Sequence, residues 1–147
     1  MTHEDAGHYS AKHPEGTKLQ PELAAAVTEQ AADGQISCAA AHQAAKDKQV
    51  APAKIGQTID LLEYRIIKCQ LGLFGYEPEK KVVTPAAKAE ISAELQAALE
   101  ERADAKGRIA CADCWQIADS LSMPRMAVSA ACETLDMKVT PCQLGAF

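Results

Sequence analysis

The sequence has 147 residues, the length of one ordinary domain, with 15 basic and 20 acidic residues and a formal net charge of −5. Apolar residues make up 48% of the chain and aromatic residues only 4%, which favours closely packed short helices over a β-sandwich or barrel. No run approaches the roughly 18 uninterrupted apolar residues that span a bilayer, and the acidic charge excludes a broadly basic nucleic-acid coat.

The N-terminal residues 1–18 are predicted to form a mobile tail, in which His3, His8 and His13 are solvated. Acidic and histidine residues stand here where a secretory signal has a basic stretch followed by an apolar one. We therefore expect a cytoplasmic protein with reduced cysteines and no membrane partner.

The first predicted helix follows the tail, because Leu23 and Val27 lie four residues apart on one face. Gly34 ends this helix, Pro52 opens a later one, and β-branched residues after Tyr64 indicate a strand. The predicted order is a helix over 21–32, a short strand over 35–37, helices over 38–48 and 52–63, and a strand over 64–68. We place a first repeat at 19–74 and a linker at 75–90, which contains Gly75 and Pro78.

The remaining residues 91–147 form a second copy of the first repeat. Aligning 34–74 with 107–147 at a constant offset of 73 matches 12 of 41 positions without a gap. Chance would give about three or four matches. The second copy has predicted helices over 92–105, 111–121 and 124–136 and strands over 108–110 and 137–140. Each copy is marginal in size as an independent domain, so we expect the two to pack as a pseudo-twofold pair.

This order of elements resembles the winged-helix or helix-turn-helix superfamily. Ala45 and Ala118 stand where the two helices of the motif come closest, and Val50 and Met123 lie in the turn. The resemblance implies a mainly α-helical protein with short β-strands, built from two tandem winged-helix-like repeats. The chain departs from the pattern in the second copy, where no sequence remains for a complete wing hairpin.

The resemblance also implies a DNA-reading surface on the third helix, for which the first repeat offers Lys54, Gln57 and Thr58. The aligned residues of the second repeat are all alanine and cannot read bases. Residues 34–83 carry seven basic and five acidic residues (net +2), whereas residues 88–147 carry six and nine (net −3). At most one repeat is therefore predicted to bind DNA.

The segments that the two copies share most closely end each repeat with the sequence Cys-Gln-Leu-Gly followed by phenylalanine. We call residues 69–74 and 142–147 the first and second CQLG segments. One interpretation is that their leucines and phenylalanines close the core while the glycines make a turn. The other is a partner-binding surface made of Cys69, Gln70, Leu71, Gly72, Phe74, Cys142, Gln143, Leu144, Gly145 and Phe147.

Four cysteines occupy equivalent positions in the two copies, namely Cys38, Cys69, Cys111 and Cys142. Four interpretations remain open: buried side chains, a thiol switch at a helix N-terminus, metal or iron–sulfur ligation by all four, and a structural disulfide. Cys111 and Cys114 form a C-x-x-C pair, but the βαβ context of a redox motif is missing.

No catalytic residue is predicted, because the chain contains no phosphate-binding loop, nucleophile elbow or zinc-protease motif. The hypothesis from sequence is a non-enzymatic protein that docks a protein partner, such as a redox or metal enzyme that it regulates or helps to assemble. The alternatives are a DNA-binding transcriptional regulator with cysteine-based redox or metal sensing, and a metal or iron–sulfur carrier. No cofactor is predicted under the first hypothesis.

Overall fold

The computed structural model describes residues 8–147, which contain six α-helices and four short strands. The first half comprises α1 (Pro21–Gln30), β1 (Gln35–Ser37), α2 (Cys38–Lys48), α3 (Pro52–Leu61) and β2 (Arg65–Ile67). The second half comprises α4 (Ala93–Arg102), β3 (Arg108–Ile109), α5 (Cys111–Ser120), α6 (Arg125–Thr134) and β4 (Lys138–Val139). The predicted class, mainly α-helical with short strands, is confirmed. None of the helices in the described range has the length and apolarity needed to cross a membrane.

The helices begin and end at residues with a local physical reason. Pro21 and Pro52 occupy the first helical position, where the missing N–H costs nothing. Ser37 and Ser92 cap α2 and α4 by accepting backbone N–H hydrogen bonds at 3.1 Å. Gln49 ends α2 in the left-handed conformation, with φ of 56°.

The two halves make the same backbone contacts at the offset of 73 residues. β1 pairs in parallel with β2, and β3 with β4, with Ile36 opposite Ile66 and Ile109 opposite Val139. The hydrogen bond from the Val50 N–H to the Ala45 carbonyl has its counterpart in the one from Met123 to Ala118. The bond from Arg65 to Gly34 likewise corresponds to the bond from Lys138 to Gly107.

The winged-helix prediction is not confirmed. Each sheet in residues 8–147 has two strands that run in parallel, whereas a wing requires a strand that returns antiparallel. After β2 the chain enters a tight turn instead, which the Cys69 N–H closes by donating to the Phe74 carbonyl. The CQLG segment therefore occupies the sequence in which a wing would return.

Each half has its own hydrophobic core, and each core is completed by a leucine from the other half. The first core contains Leu23, Val27, Ile36, Ile55, Ile59 and Ile66 together with Leu144. The second contains Leu95, Leu99, Ile109, Ile117 and Val128 together with Leu71. The two repeats thus exchange their CQLG segments.

Helices α3 and α6 receive the exchanged segments at equivalent positions. A Cβ atom built on Gly56 of α3 would lie 1.8 Å from the Leu144 carbonyl oxygen, so only glycine leaves room there. At the matching position of α6, the Ser129 hydroxyl donates to the Leu71 carbonyl at 2.6 Å. Gly56 accommodates the incoming backbone because it has no side chain, and Ser129 accommodates it by donating a hydrogen bond.

Equivalent residues also meet each other between the halves. The rings of His42 and Trp115 lie 4.3 Å apart, and those of Phe74 and Phe147 lie 5.7 Å apart. Contacts between residues offset by 73, together with reciprocal leucine exchange, are the pattern of an approximate twofold arrangement.

Part of the predicted mobile tail packs against α3. Tyr9 is 5% exposed, and the N–H groups of Tyr9 and Ser10 donate to the Glu63 carboxylate. Burial of the Tyr9 ring favours this position. We call residues 8–18 the N-terminal arm. Residues 1–7, including His3, lie outside the described residues.

The arm holds a buried acid on α3. Asp60 is 2% exposed and accepts contacts from His13 at 2.8 Å and Lys12 at 3.1 Å. Burial raises the pKa of Asp60, while His13 and Lys12 act in the opposite direction. The Lys12 ammonium also donates to the Gly145 carbonyl, so the arm contacts the second CQLG segment as well.

The predicted linker packs on α6 as the arm packs on α3. Lys81 pairs with Glu133 at 2.6 Å, and Glu133 is the residue aligned with Asp60. The Ala86 N–H donates to the Ala130 carbonyl, and Tyr76 and Lys80 form an antiparallel bridge. A segment preceding the first helix of each half therefore covers the third helix of that half.

Candidate functional site

The two CQLG segments have the same turn geometry. In each, the glycine N–H donates to the cysteine carbonyl and the cysteine N–H donates to the phenylalanine carbonyl. Gly72 and Gly145 have φ of 74° and 75°, in the left-handed region that glycine adopts without a Cβ penalty. The turn sends the leucine into the opposite core and leaves the phenylalanine at the junction of the halves.

The predicted partner-binding surface is mostly used inside the molecule. Leu71 is 0% exposed and Leu144 is 1% exposed, so these leucines dock on the other half rather than on a separate protein. The core interpretation of both leucines is confirmed, and Cys69 and Gly72 are buried beside them. Four other residues of the predicted surface are half-buried, Gln70, Phe74, Cys142 and Gln143, and two are exposed, Gly145 and Phe147.

The amides of the segments likewise have partners within the chain. The Arg125 guanidinium donates to the Gln70 side-chain oxygen at 3.4 Å, and the Gln143 side-chain amide donates to the Cys111 sulfur at 3.4 Å. Both contacts join the segments to residues near the junction. The sequence interpretation that offered these amides to a partner has no support in this geometry.

A groove of about 330 Å³ opens at the junction of the halves, and we call it the junction groove. Its apolar residues come from both halves: Leu73, Phe74, Met137, Val139 and Phe147. Its charged residues are Lys81, Glu133 and Lys138. Apolar walls with a few charged groups are typical of sites that bind ligands or partner side chains.

The charge of the junction groove is positive. Lys81 and Glu133 neutralise each other through their 2.6 Å ion pair. Lys138 is exposed and forms no ion pair with any described residue. One ammonium group is therefore left to meet a negatively charged ligand.

The aromatic pair gives the groove an exposed apolar surface. The Phe74 and Phe147 rings meet edge to face at an interplanar angle of 88°. Phe147 remains 36% exposed although its partner ring is half-buried. The exchange of CQLG segments positions both rings, because each phenylalanine lies three residues after its buried leucine.

The four equivalent cysteines lie near one another, and burial disfavours the thiolate form of three of them, Cys38, Cys69 and Cys111. Burial raises the pKa of Cys38 to about 12 and that of Cys111 to about 11, and it raises the pKa of Cys69 as well. Neighbouring thiols contribute in the same direction, which places the four cysteines in one region. A helix N-terminus lowers the pKa of a thiol. At Cys38 and Cys111 the effect of desolvation is larger, so the pKa of each thiol rises.

The residues described here include no set of three histidine, cysteine, aspartate or glutamate side chains arranged to hold a metal ion. Metal ligation by Cys38, Cys69, Cys111 and Cys142 stays a prediction without a supporting geometry. All six cysteines are free thiols in the structure. Cys114 and Cys132 are buried in the second core, and a hydrogen bond between them together with burial raises the pKa of Cys114.

A cluster of three side chains crosses the junction next to the cysteines. The His42 ring lies 4.3 Å from the half-buried Trp115 ring at a tilt of 42°, and the Arg125 guanidinium lies 3.6 Å from the centre of the Trp115 ring. Burial lowers the pKa of His42 to about 4, and the positive charge of Arg125 adds to this effect. The imidazole of His42 is therefore neutral at neutral pH.

The predicted DNA-reading residues do not form one surface. Lys54 is exposed and Gln57 is half-buried, but Thr58 is 3% exposed and its hydroxyl donates to the Lys54 carbonyl. Thr58 therefore cannot reach a base edge. The second CQLG segment lies against Gly56 and the arm against Asp60, so α3 is covered on two sides. DNA binding through Lys54 and Gln57 stays a prediction.

Six groove residues were not singled out from sequence, namely Leu73, Lys81, Glu133, Met137, Lys138 and Val139. Leu73 and Met137 are not identical to their aligned residues, Ala146 and Tyr64, so comparing the copies for identity passes over them. Lys81 belongs to the predicted linker. Local periodicity contains no signal that brings this linker and the two halves together.

Comparison of the chain with protein-family models, curated proteins and solved structures found no match in any of the three.

Proposed function

We propose that this is a non-enzymatic binding protein that holds an apolar segment of a protein partner, bearing an acidic side chain, in the junction groove. The observation that carries the proposal is the groove itself, with five apolar side chains and one unpaired ammonium group. The proposed partner-binding surface is therefore not formed by the CQLG leucines, which are internal. It is formed by the groove residues that lie beside them.

We infer an apolar partner segment because the walls of the junction groove are mostly apolar. Phe74, Phe147 and Met137 supply aromatic and thioether surface, which adapts to side chains of varied shape. Covering an exposed phenylalanine removes apolar area from water, and this burial stabilises the complex by about 25 cal/mol per Å². An apolar side chain of the partner gains this energy by covering Phe147 within the groove.

The acidic side chain follows from Lys138. Its ammonium group borders the apolar walls, and an opposing carboxylate would form an ion pair partly shielded from water. Such a pair contributes more to specificity and to the association rate than to affinity. A basic partner segment is disfavoured by repulsion from the same group.

The test uses affinity capture from an extract of the source organism with three purified baits: the natural protein, Phe147→Glu and Lys138→Glu. Phe147→Glu places a charge among the apolar walls, and Lys138→Glu reverses the charge that selects an acidic segment. We expect one companion to be retained by the natural bait and lost from both variants. The captured companion is then mixed in purified form with each bait to measure affinity directly.

Leu19→Glu is the matched control, because Leu19 is 40% exposed and lies outside the groove. It should retain the companion as the natural protein does. Circular dichroism must show the same helix content for all baits. A companion that binds all four baits equally, or a purified companion whose affinity is unchanged by Lys138→Glu, would refute the proposal.

A further inference from the structure

A second cavity, separate from the junction groove, lies beside β1 and β2. It has a volume of about 410 Å³ and is lined by Gln35, Arg65, Ile67, Lys68, Gly75, Tyr76 and Glu77. We call it the strand cavity. It shares no lining residue with the junction groove.

Two cations of the strand cavity lack a partner. Arg65 and Lys68 are exposed, and neither forms an ion pair or a side-chain hydrogen bond with another described residue. Both line one concave surface, where their like charges repel each other. An anion with two negative charges would relieve that repulsion.

The second half lacks this arrangement. The residue aligned with Gln35 is Arg108, which is already paired with Asp104 at 2.8 Å. The residue aligned with Lys68 is Pro141, which has no charge. The two unpaired cations of the strand cavity are therefore a property of the first half and not of the shared fold.

The backbone around Lys68 is held in a costly conformation. Lys68 has φ of 53°, in the left-handed region that non-glycine residues adopt at a cost of order 1 kcal/mol or more. Its N–H donates to the Gly75 carbonyl, and a Cβ on Gly75 would lie 2.5 Å from that nitrogen. The Tyr76 hydroxyl, which donates to the Cys69 carbonyl at 2.7 Å, fixes the adjacent wall.

We propose that the strand cavity binds a small phosphate monoester with a hydroxylated organic body. A phosphate monoester carries about −1.5 to −2 charges at pH 7, opposite in sign to the net charge of the cavity, in which two cations outnumber the Glu77 carboxylate. Arginine binds phosphate oxygens with its planar fork and lysine binds them as a point charge. The cavity is larger than one phosphate group, and Glu77 can accept hydrogen bonds from hydroxyl groups of the body.

The experiment records amide NMR spectra of the full chain during titration with glucose 6-phosphate, inorganic phosphate and glucose, at low ionic strength. We expect saturable shifts around Arg65 and Lys68, with glucose 6-phosphate binding more tightly than inorganic phosphate and glucose not binding. Arg65→Gln and Lys68→Gln should each weaken glucose 6-phosphate binding about tenfold.

Arg108→Gln is the matched control, since it removes one positive charge from the equivalent strand of the second half. It should leave the affinity unchanged. Shifts that do not saturate, or equal weakening by Arg65→Gln and Arg108→Gln, would show diffuse charge attraction and overturn the proposal. Inorganic phosphate binding as tightly as the sugar phosphate would overturn the assignment of an organic body. These outcomes do not depend on the junction groove.

Discussion

Gly56 and Ser129 occupy equivalent positions but meet the exchanged backbone in different ways. Gly56→Ala places a Cβ in the volume of the Leu144 carbonyl, so we expect the free energy of unfolding to fall by about 1–3 kcal/mol. Ser129→Ala leaves the buried Leu71 carbonyl without its hydroxyl donor and should cost about 1–3 kcal/mol. Urea unfolding measures both changes.

Helix propensity makes the Gly56→Ala result informative. Alanine stabilises an exposed helical position by about 1 kcal/mol relative to glycine, so propensity alone predicts the opposite sign. Ser120→Ala, at an exposed position of α5, is the control for Ser129→Ala and should have little effect. A stabilised Gly56→Ala variant would show that Leu144 does not lie against α3.

The histidine His42 gives a prediction about how the free energy of unfolding depends on pH. Its pKa is about 4 in the folded protein, against about 6.5 in an unfolded chain. As the pH falls from 6.5 towards 4, the unfolded state takes up a proton that the folded state does not, so the contribution of His42 to stability decreases over this window. His42→Gln should show a smaller loss of stability between pH 7 and pH 4.5 than the natural protein.

Urea midpoints at several pH values compare the natural protein with His42→Gln, and carboxylates that titrate in both proteins cancel in the difference. The histidine ring signals in NMR report the pKa itself. A His42 ring that titrates near 6.5 would contradict its half-buried position against Trp115.

The helices and short strands show what sequence patterns specify at the scale of an element. All six predicted helices lie within a few residues of their observed ends, and α1 and α3 begin at the prolines that predict them. These signals are local, because capping and amphipathic spacing act over a few residues. The resemblance to a winged helix was less informative, since the return of a wing depends on pairing after β2.

The arm and the leucine exchange could not be predicted in the same way. Tyr9 is a single aromatic residue in a polar segment, with no periodicity to mark its burial against α3. The alignment of the two copies shows that Leu71 and Leu144 are equivalent. The position of Leu71 in the sequence is equally consistent with burial in the core of the first half and with burial in the core of the second. Only the three-dimensional arrangement separates these alternatives.

The arm provides a prediction for an element. Tyr9→Ala removes its buried ring, so residues 8–18 should become accessible to proteases and their amides should exchange faster with solvent. Limited proteolysis and hydrogen exchange measure the change. Leu19→Ala, at an exposed neighbouring position, should leave both unchanged. Equal protection of the arm in the natural protein and in Tyr9→Ala would contradict the burial of the Tyr9 ring.

At the scale of the whole molecule, neither half has a complete core without the other. Leu71 lies in the sequence of the first half but packs in the core of the second half. Leu144 lies in the sequence of the second half but packs in the core of the first. Leu71→Ala should therefore cost about 2–5 kcal/mol and lower the protection of α2 and α5 together. Hydrogen exchange resolved by residue tests this, and loss of protection confined to one half would contradict mutual dependence.

The same exchange positions Phe74 and Phe147 at the junction and so creates the junction groove. The most direct measurement is an NMR spectrum of nuclear Overhauser contacts between the halves, with the leucines, glycines and serines labelled. We predict cross-peaks from Gly56 to Leu144 and from Ser129 to Leu71. Cross-peaks from Gly56 to Leu71 and from Ser129 to Leu144 would place each leucine in its own half and contradict the exchange.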